Sequence, residues 1–209
     1  MTKQSIILGI ESSCDETACA IITQDCKILA NIISSQASIH ASHGGVVPEV
    51  AAREHLSAMR PVITQALKQS DLSFDKIDGI AATGGPGLIG GILVGSVTAK
   101  AIASASNLPY YAVNHLEGHA LTPRFTHKLG FPYLLLLVSG GHTQLLNIKA
   151  LGKYERYGTT LDDAAGEAFD KSAKILGLDY PGGPLIDKFG KEGNTQAFSF
   201  GKPKVDGLN

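Results

Sequence analysis

Two histidines four residues apart, in the run His115-Leu116-Glu117-Gly118-His119, are the side chains whose types and spacing point most directly to chemistry. On a helix that spacing puts both rings on one face, separated by a rise of about 6 Å. Two imidazoles so placed can share one transition metal ion. Many such pairs are not ligands, but this one directly follows a strand, where α/β folds gather function. Glu117 holds the third position of the run and not the second. The His-Glu-x-x-His arrangement, with a glutamate base beside a metal-bound water, is therefore not specified.

Three further segments could hold an anion or a nucleotide. Leu8 to Thr17 and Leu137 to Gln144 each read as strand, small hydroxyl-rich turn, strand. As a coarse internal repeat, two such hairpins would present backbone donors to an anion from either side of a cleft; hairpins need such turn residues in any case. Gly84 to Gly91 follows a strand and opens a helix, which suits either a phosphate at helix-terminal N–H groups or close helix–sheet packing. It is neither a Walker A loop nor a clear dinucleotide fingerprint. In Asp162-Asp163-Ala164-Ala165-Gly166-Glu167-Ala168-Phe169-Asp170-Lys171, the carboxylates Asp163, Glu167 and Asp170 share a face. They either favour the helix dipole or take ribose hydroxyls.

The elements that must position these residues alternate. Strands are expected at Ser5–Ile10, Ala18–Thr23, Ile28–Ile33, Ile77–Ala82, Tyr110–Val113, Tyr133–Ser139 and Gln144–Ile148. Pro48 opens a long helix to about Ser70 with Val50, Leu56, Met59, Ile63 and Leu67 at roughly helical spacing, and Pro61 should kink it. A small-residue helix runs from Gly91 to about Ser106, another from His115 to Arg124, and a third from Ala164 to Leu176 with Gly177 as its stop. Tyr180-Pro181-Gly182-Gly183-Pro184 reads as a glycine turn. Such alternation predicts α/β layers.

With 209 residues, 44% of them hydrophobic, the chain can bury a sizeable core. Its net charge of -1 supplies no broad basic field, so any grip on nucleic acid needs a local patch or a partner. Cys14, Cys19 and Cys26 fit no common zinc spacing and, being odd in number, suit a reducing cytoplasm as small buried residues. No signal peptide, transit segment or membrane-spanning run is visible.

Taken in order, these segments, with His43-Gly44-Gly45-Val46-Val47-Pro48-Glu49 and Leu178-Asp179-Tyr180-Pro181-Gly182-Gly183-Pro184, resemble the tRNA N6-adenosine threonylcarbamoyltransferase family over nearly the whole chain. The family was formerly labelled O-sialoglycoprotein endopeptidase. The resemblance implies an actin/sugar kinase/Hsp70-like (ASKHA) α/β fold of duplicated lobes closing on an adenylate. Residues 1–130 would form the first lobe, with the histidine pair, and 131–209 the start of a second lobe that is incomplete in this chain.

By the same resemblance, His115 and His119 match the metal-ligand pair, with iron or zinc as the ion. Leu137, Val138, Ser139, Gly140 and Gly141 match the adenylate-phosphate loop, and Asp170, Gly183 and Asp187 match further substrate contacts. The implied reaction moves threonylcarbamoyl from threonylcarbamoyl-adenylate to N6 of the adenosine beside the anticodon in tRNAs reading A-starting codons, with no protein nucleophile. The implied partners are tRNA, an ASKHA paralogue subunit and a small ATPase, with a homodimer in their absence, in the cytoplasm and away from membranes. Family members run longer, and an asparagine and a metal-completing aspartate lie beyond Asn209, so weak metal binding and little activity are expected of this piece alone. A metallopeptidase and a non-catalytic ASKHA dimerisation scaffold are the alternatives; scaffold paralogues lack the histidine pair.

Overall fold

The computed structural model describes residues 4–201, so positions 202–209 of the expected second lobe lie outside the described residues. The chain begins with three antiparallel strands, β1 (Ile6–Glu11), β2 (Glu16–Thr23) and β3 (Ile28–Ser35). A short helix α1 (Ala37–Ala41) and the long α2 (Pro48–Ser70) follow. Then come β4 (Gly79–Gly85), α3 (Ile89–Ala105) and β5 (Tyr110–Asn114). These strands make one sheet in the order β3-β2-β1-β4-β5, parallel at β1/β4 and β4/β5.

Alternation along the strands builds the core. Leu8 pairs with Ile21 on one side and Ile80 on the other, and Ile10 pairs with Cys19 and Ala82. All six are buried. Being two apart on each strand, they point to the same face, and each large aliphatic so removed from water contributes about 1.5–3 kcal/mol. Against that face α2 lays Ala51, His55, Met59, Val62, Ile63 and Ala66, and α3 lays Ile92, Gly95, Ala99 and Ala103.

The long helix departs from the sequence reading. It runs unbroken through Pro61, and Leu56, expected on the apolar face, is exposed while the neighbouring His55 is fully buried. A polar network makes that burial tolerable. His55 Nε2 lies 3.0 Å from the Cys14 carbonyl and Nδ1 lies 2.8 Å from Thr17 Oγ1. Gln36 links His55 to the buried His40. Among the cysteines only Cys19 is buried; Cys14 and Cys26 are exposed, because they fall in turns at the strand ends and not on the core-facing register.

The second half opens with α4 (His115–Thr126), then an antiparallel sheet of β6 (Tyr133–Val138), β7 (Thr143–Ala150) and β8 (Lys153–Thr159). It continues into α5 (Ala165–Ile175) and α6 (Gly182–Gly190). Although α4 follows a strand of the first sheet, its Ala120 packs with Leu137, Leu146 and Ile148 of the second. The Tyr133 hydroxyl donates to the Ala120 carbonyl at 2.6 Å. Gly177 ends α5 as expected: at φ +72° it lets Leu178 N–H reach the Ala173 carbonyl at 2.9 Å.

Two elements were not legible in advance. The edge strand β8 is almost wholly exposed, so its side chains carry no apolar alternation. The expected glycine turn is the start of α6, because Pro184 falls in the first turn, where its missing N–H costs nothing. The Asp170 carboxylate accepts from the Gly182 amide at 2.8 Å and fixes that start.

Candidate functional site

The Asn114 side chain caps α4, accepting from the amides of Leu116 and Glu117 at 2.9 and 3.2 Å. The cap starts the helix at His115, which puts His119 one turn along on the same face. The two Nε2 atoms converge to 3.1 Å, with the rings nearly perpendicular and their centroids 4.5 Å apart. Two nitrogens each about 2.0–2.1 Å from one tetrahedral ion would stand roughly 3.3 Å apart, so the pair fits a shared metal. Among the described residues no group of three or more His, Cys, Asp or Glu side chains that could hold a metal ion is found.

The first sheet supplies the surroundings of the pair. His115 Nδ1 lies 3.2 Å from Ser13 Oγ and 3.4 Å from Glu11 Oε2. Glu11 accepts from the Ser13 amide at 2.6 Å and from the Thr83 hydroxyl. Burial pushes the Glu11 carboxyl up, but hydrogen bonds from His115, Ser13 and Thr83 outweigh it and hold the group down to about 2. Burial lowers His119 below the usual histidine value, and nearby His115 and His142 add to that. Glu11 opposes this, and the net lowering favours the neutral ring, the form that binds metal. Glu117 turns to the other face of α4, where the Tyr154 hydroxyl donates to it, so it does not stand beside the ring pair.

The second hairpin supplies the turn expected to hold phosphate. Ser139 closes it, its amide donating to the His142 carbonyl at 2.8 Å and its hydroxyl accepting from the His142 amide at 3.0 Å. Leu137 is a core side chain and Val138 is exposed, so the part of the loop free to meet a ligand is Gly140 and Gly141. A Cβ on either would meet no atom within 4 Å. Gly166, at the start of α5, packs directly behind: a Cβ there would come within 2.8 Å of Gly140 Cα. The Gly141→Val protein is therefore expected to keep its melting temperature while calorimetry shows AMP binding at least about tenfold weaker, a side chain having entered space left for the ligand. Equal affinity for AMP in the variant would remove this loop from the site.

The remaining expected residues divide. Asp170 is half-buried and holds α6 in place, whereas Asp187 is exposed and pairs with Lys191 at 2.8 Å. A Cβ on Gly183 would make only ordinary contact with Phe169, while the tightly packed glycine is Gly182. The three carboxylates read onto one face separate: Asp163 and Glu167 both pair with Lys171, at 2.6 and 3.0 Å, and Asp170 does not. Asp170 turns instead to the Gly182 amide, while Asp163, just before the start of α5 at Ala165, still reaches Lys171. In the Gly84–Gly91 segment the packing alternative fits best, since Gly87, Gly90 and Gly91 press on Ser13, Ala52 and Ser12. Sequence reasoning gave no role to Ser13, Thr83, His142 or Tyr180. Burial, with the charges of Asp15 and Asp170, pushes the Tyr180 hydroxyl up to about 12.

An α/β chain with paired hairpin turns and a helix between two sheets is of the actin/sugar kinase/Hsp70 type. Two solved structures show the same fold. Component A of the (R)-2-hydroxyglutaryl-CoA dehydratase of Acidaminococcus fermentans is 15% identical, with a TM-score of 0.56, covering 91% of this chain and 60% of that one. The ethanolamine utilization protein EutJ of Carboxydothermus hydrogenoformans is 15% identical, with a TM-score of 0.52, covering 88% and 61%. The particular family is given by sequence: residues 27–208 match the model of the tRNA N6-adenosine threonylcarbamoyltransferase family, TsaD, and the chain belongs to it. The threonylcarbamoyltransferase of Rhizobium etli is 58% identical over 203 residues, and that of Brucella anthropi 57% over 201. These alignments cover 95% and 94% of this chain but 56% of each relative, so the chain spans about half the length of the curated relatives it matches.

Proposed function

We propose that this chain carries the metal-binding and phosphate-binding half of a tRNA N6-adenosine threonylcarbamoyltransferase. The convergence of the His115 and His119 rings to 3.1 Å, on a helix seated between the two hairpin turns, carries the reading. A divalent ion, iron or zinc, held by the pair would supply Lewis acidity toward threonylcarbamoyl-adenylate. Gly140 and Gly141 would bring their backbone close to the phosphate, with Ser139 holding the turn in shape. Asp170 and Gly183 would shape the adenylate's surroundings through the start of α6, and Asp187 would reach substrate only from the exposed end. The N6 amine of the tRNA adenosine attacks the carbamoyl carbon, and AMP leaves. No nucleophile from the protein is required for this step, so positioning and charge stabilisation would supply most of the rate. In this reading residues 1–130 and 131–209 are the two lobes, with the pair's helix at their boundary. A metallopeptidase is not supported, because Glu117 faces away from the rings and Glu11 lies behind His115.

Partners follow from charge and surface. A net charge of -1 cannot hold tRNA by field alone. On the outer side of the first lobe, Ile89, Leu93 and Val97 form an exposed stripe along α3, and Leu56 is exposed on α2. That apolar face suits an ASKHA paralogue or, in its absence, a second copy, and the assembly would include a small ATPase. Among the described residues no helix is long and apolar enough to cross a membrane; a cytoplasmic setting is proposed from the tRNA substrate of the family. The test is tRNA affinity of the full-length protein with and without the paralogue at fixed moderate salt. Tight binding should appear only with the partner present; tight, anticodon-specific binding by the lone protein would sink the partner requirement.

A further inference from the structure

His115 is held on one side of its ring and presented on the other. On the Nδ1 side stand Ser13 Oγ at 3.2 Å and Glu11 Oε2 at 3.4 Å. On the Nε2 side stands His119. A serine hydroxyl can donate or accept, so Ser13 alone would suit either neutral form of the ring. An ionised carboxylate only accepts. Glu11 cannot easily turn away, because the Ser13 amide holds its Oε1 at 2.6 Å and the Thr83 hydroxyl holds its Oε2. Strand β1 and strand β4 together therefore aim one acceptor at Nδ1.

We propose that Glu11 is a positioning residue for the metal pair, accepting from Nδ1–H of His115 and so fixing the tautomer whose Nε2 carries a free lone pair toward His119. The inference rests on the reading of His115 and His119 as ligands and names what orients the first of them. Carboxylates behind a metal-bound imidazole commonly act in this way. A corollary concerns His119. With His115 Nε2 an acceptor, the 3.1 Å contact between the rings in metal-free protein requires the proton of His119 to sit on its Nε2. The two rings thus hold opposite tautomers without an ion, and for Nε2 of His119 to bind one, its proton must be exchanged through solvent for one on Nδ1, the ring staying neutral.

Long-range 1H–15N NMR of the imidazole nitrogens in chelator-treated protein reads these tautomers directly, and zinc affinity by chelator competition reads their consequence. The parent chain is expected to show His115 protonated at Nδ1 and His119 at Nε2. In Glu11→Gln, whose amide can donate toward Nδ1, His115 should move toward the Nε2–H form, and zinc affinity should fall about 10- to 100-fold. Thr83→Val, which loosens Glu11 without removing it, should shift both readouts in the same direction by less, and it stands as the test if Glu11→Gln fails to fold. A parent His115 protonated at Nε2 would overturn the proposal, as would a Glu11→Gln protein with unchanged tautomer and zinc affinity. His119→Ala separates the two levels. If it loses zinc while Glu11→Gln keeps it, only the role of Glu11 fails; if neither loses zinc, the ligand pair fails and the role of Glu11 with it.

Discussion

His115→Ala, made in the full-length family protein, is expected to leave no metal retained through purification, while stability falls by no more than about 1–2 kcal/mol. The two effects separate because the ring does little for the core. It stands at the first position of α4, where alanine is well tolerated, and its contacts are polar ones to Ser13 and Glu11 at the mouth of the site. Glu11 would keep the Ser13 amide and the Thr83 hydroxyl after the substitution, so its charge is not left without donors. What is lost is one of two nitrogens 3.1 Å apart, and a lone imidazole cannot replace a chelating pair. Elemental analysis checks the result: unchanged metal content in a folded variant would show that the pair is not the ligand set.

The second large effect falls on a residue that touches no ligand. Gly91→Ala is expected to destabilise the protein by about 2–3 kcal/mol, as overpacking of a close contact does. A Cβ at Gly91 would land deep inside the contact distance of the Ser12 carbonyl oxygen and 3.0 Å from the His55 ring. Neither can yield cheaply. The Ser12 hydroxyl donates to the Gly91 carbonyl at 2.8 Å, and His55 is tied to the Cys14 carbonyl and Thr17. Any retreat would displace the first hairpin turn and Ser13 with it, so the metal pair should suffer as well. Gly141→Ala is the matched control: a Cβ there meets nothing within 4 Å, and a change within about 0.5 kcal/mol is expected. Urea denaturation of both proteins decides the matter; a Gly91→Ala protein as stable as its parent would mean that α3 does not lie this close to the turn.

These contrasts also show how far the sequence can be read. Strands with buried alternation, such as Ile6–Glu11, and helices with clear stops, such as the one ended by Gly177, were legible within a residue or two. The histidine pair was legible because its spacing is local. The contacts of Glu11, Ser13 and Thr83 with that pair were not, because these residues come from two strands that only the β1/β4 pairing brings beside a helix more than thirty residues further on; that Glu11 faces the cleft could be expected, but not what it does there. His55 escaped notice for a different reason. A polar side chain in a helical pattern marks a solvent face unless a network below it is known, and that network depends on Gln36 and Thr17. The glycines of the Gly84–Gly91 segment look alike in sequence, and only the closeness of Ser12 and Ser13 shows that they serve packing.

The seating of α4 has a mechanical consequence. Both histidines ride one rigid helix whose apolar side is embedded in the second sheet, while Glu11, Ser13 and Thr83 are anchored in the first. If the two sheets swing relative to each other, the 3.1 Å gap between the rings stays the same, and the 3.4 Å gap to Glu11 changes. The spacing of the two rings is thus a property of one helix alone, whereas their spacing from Glu11 is a property of how the two sheets are set against each other.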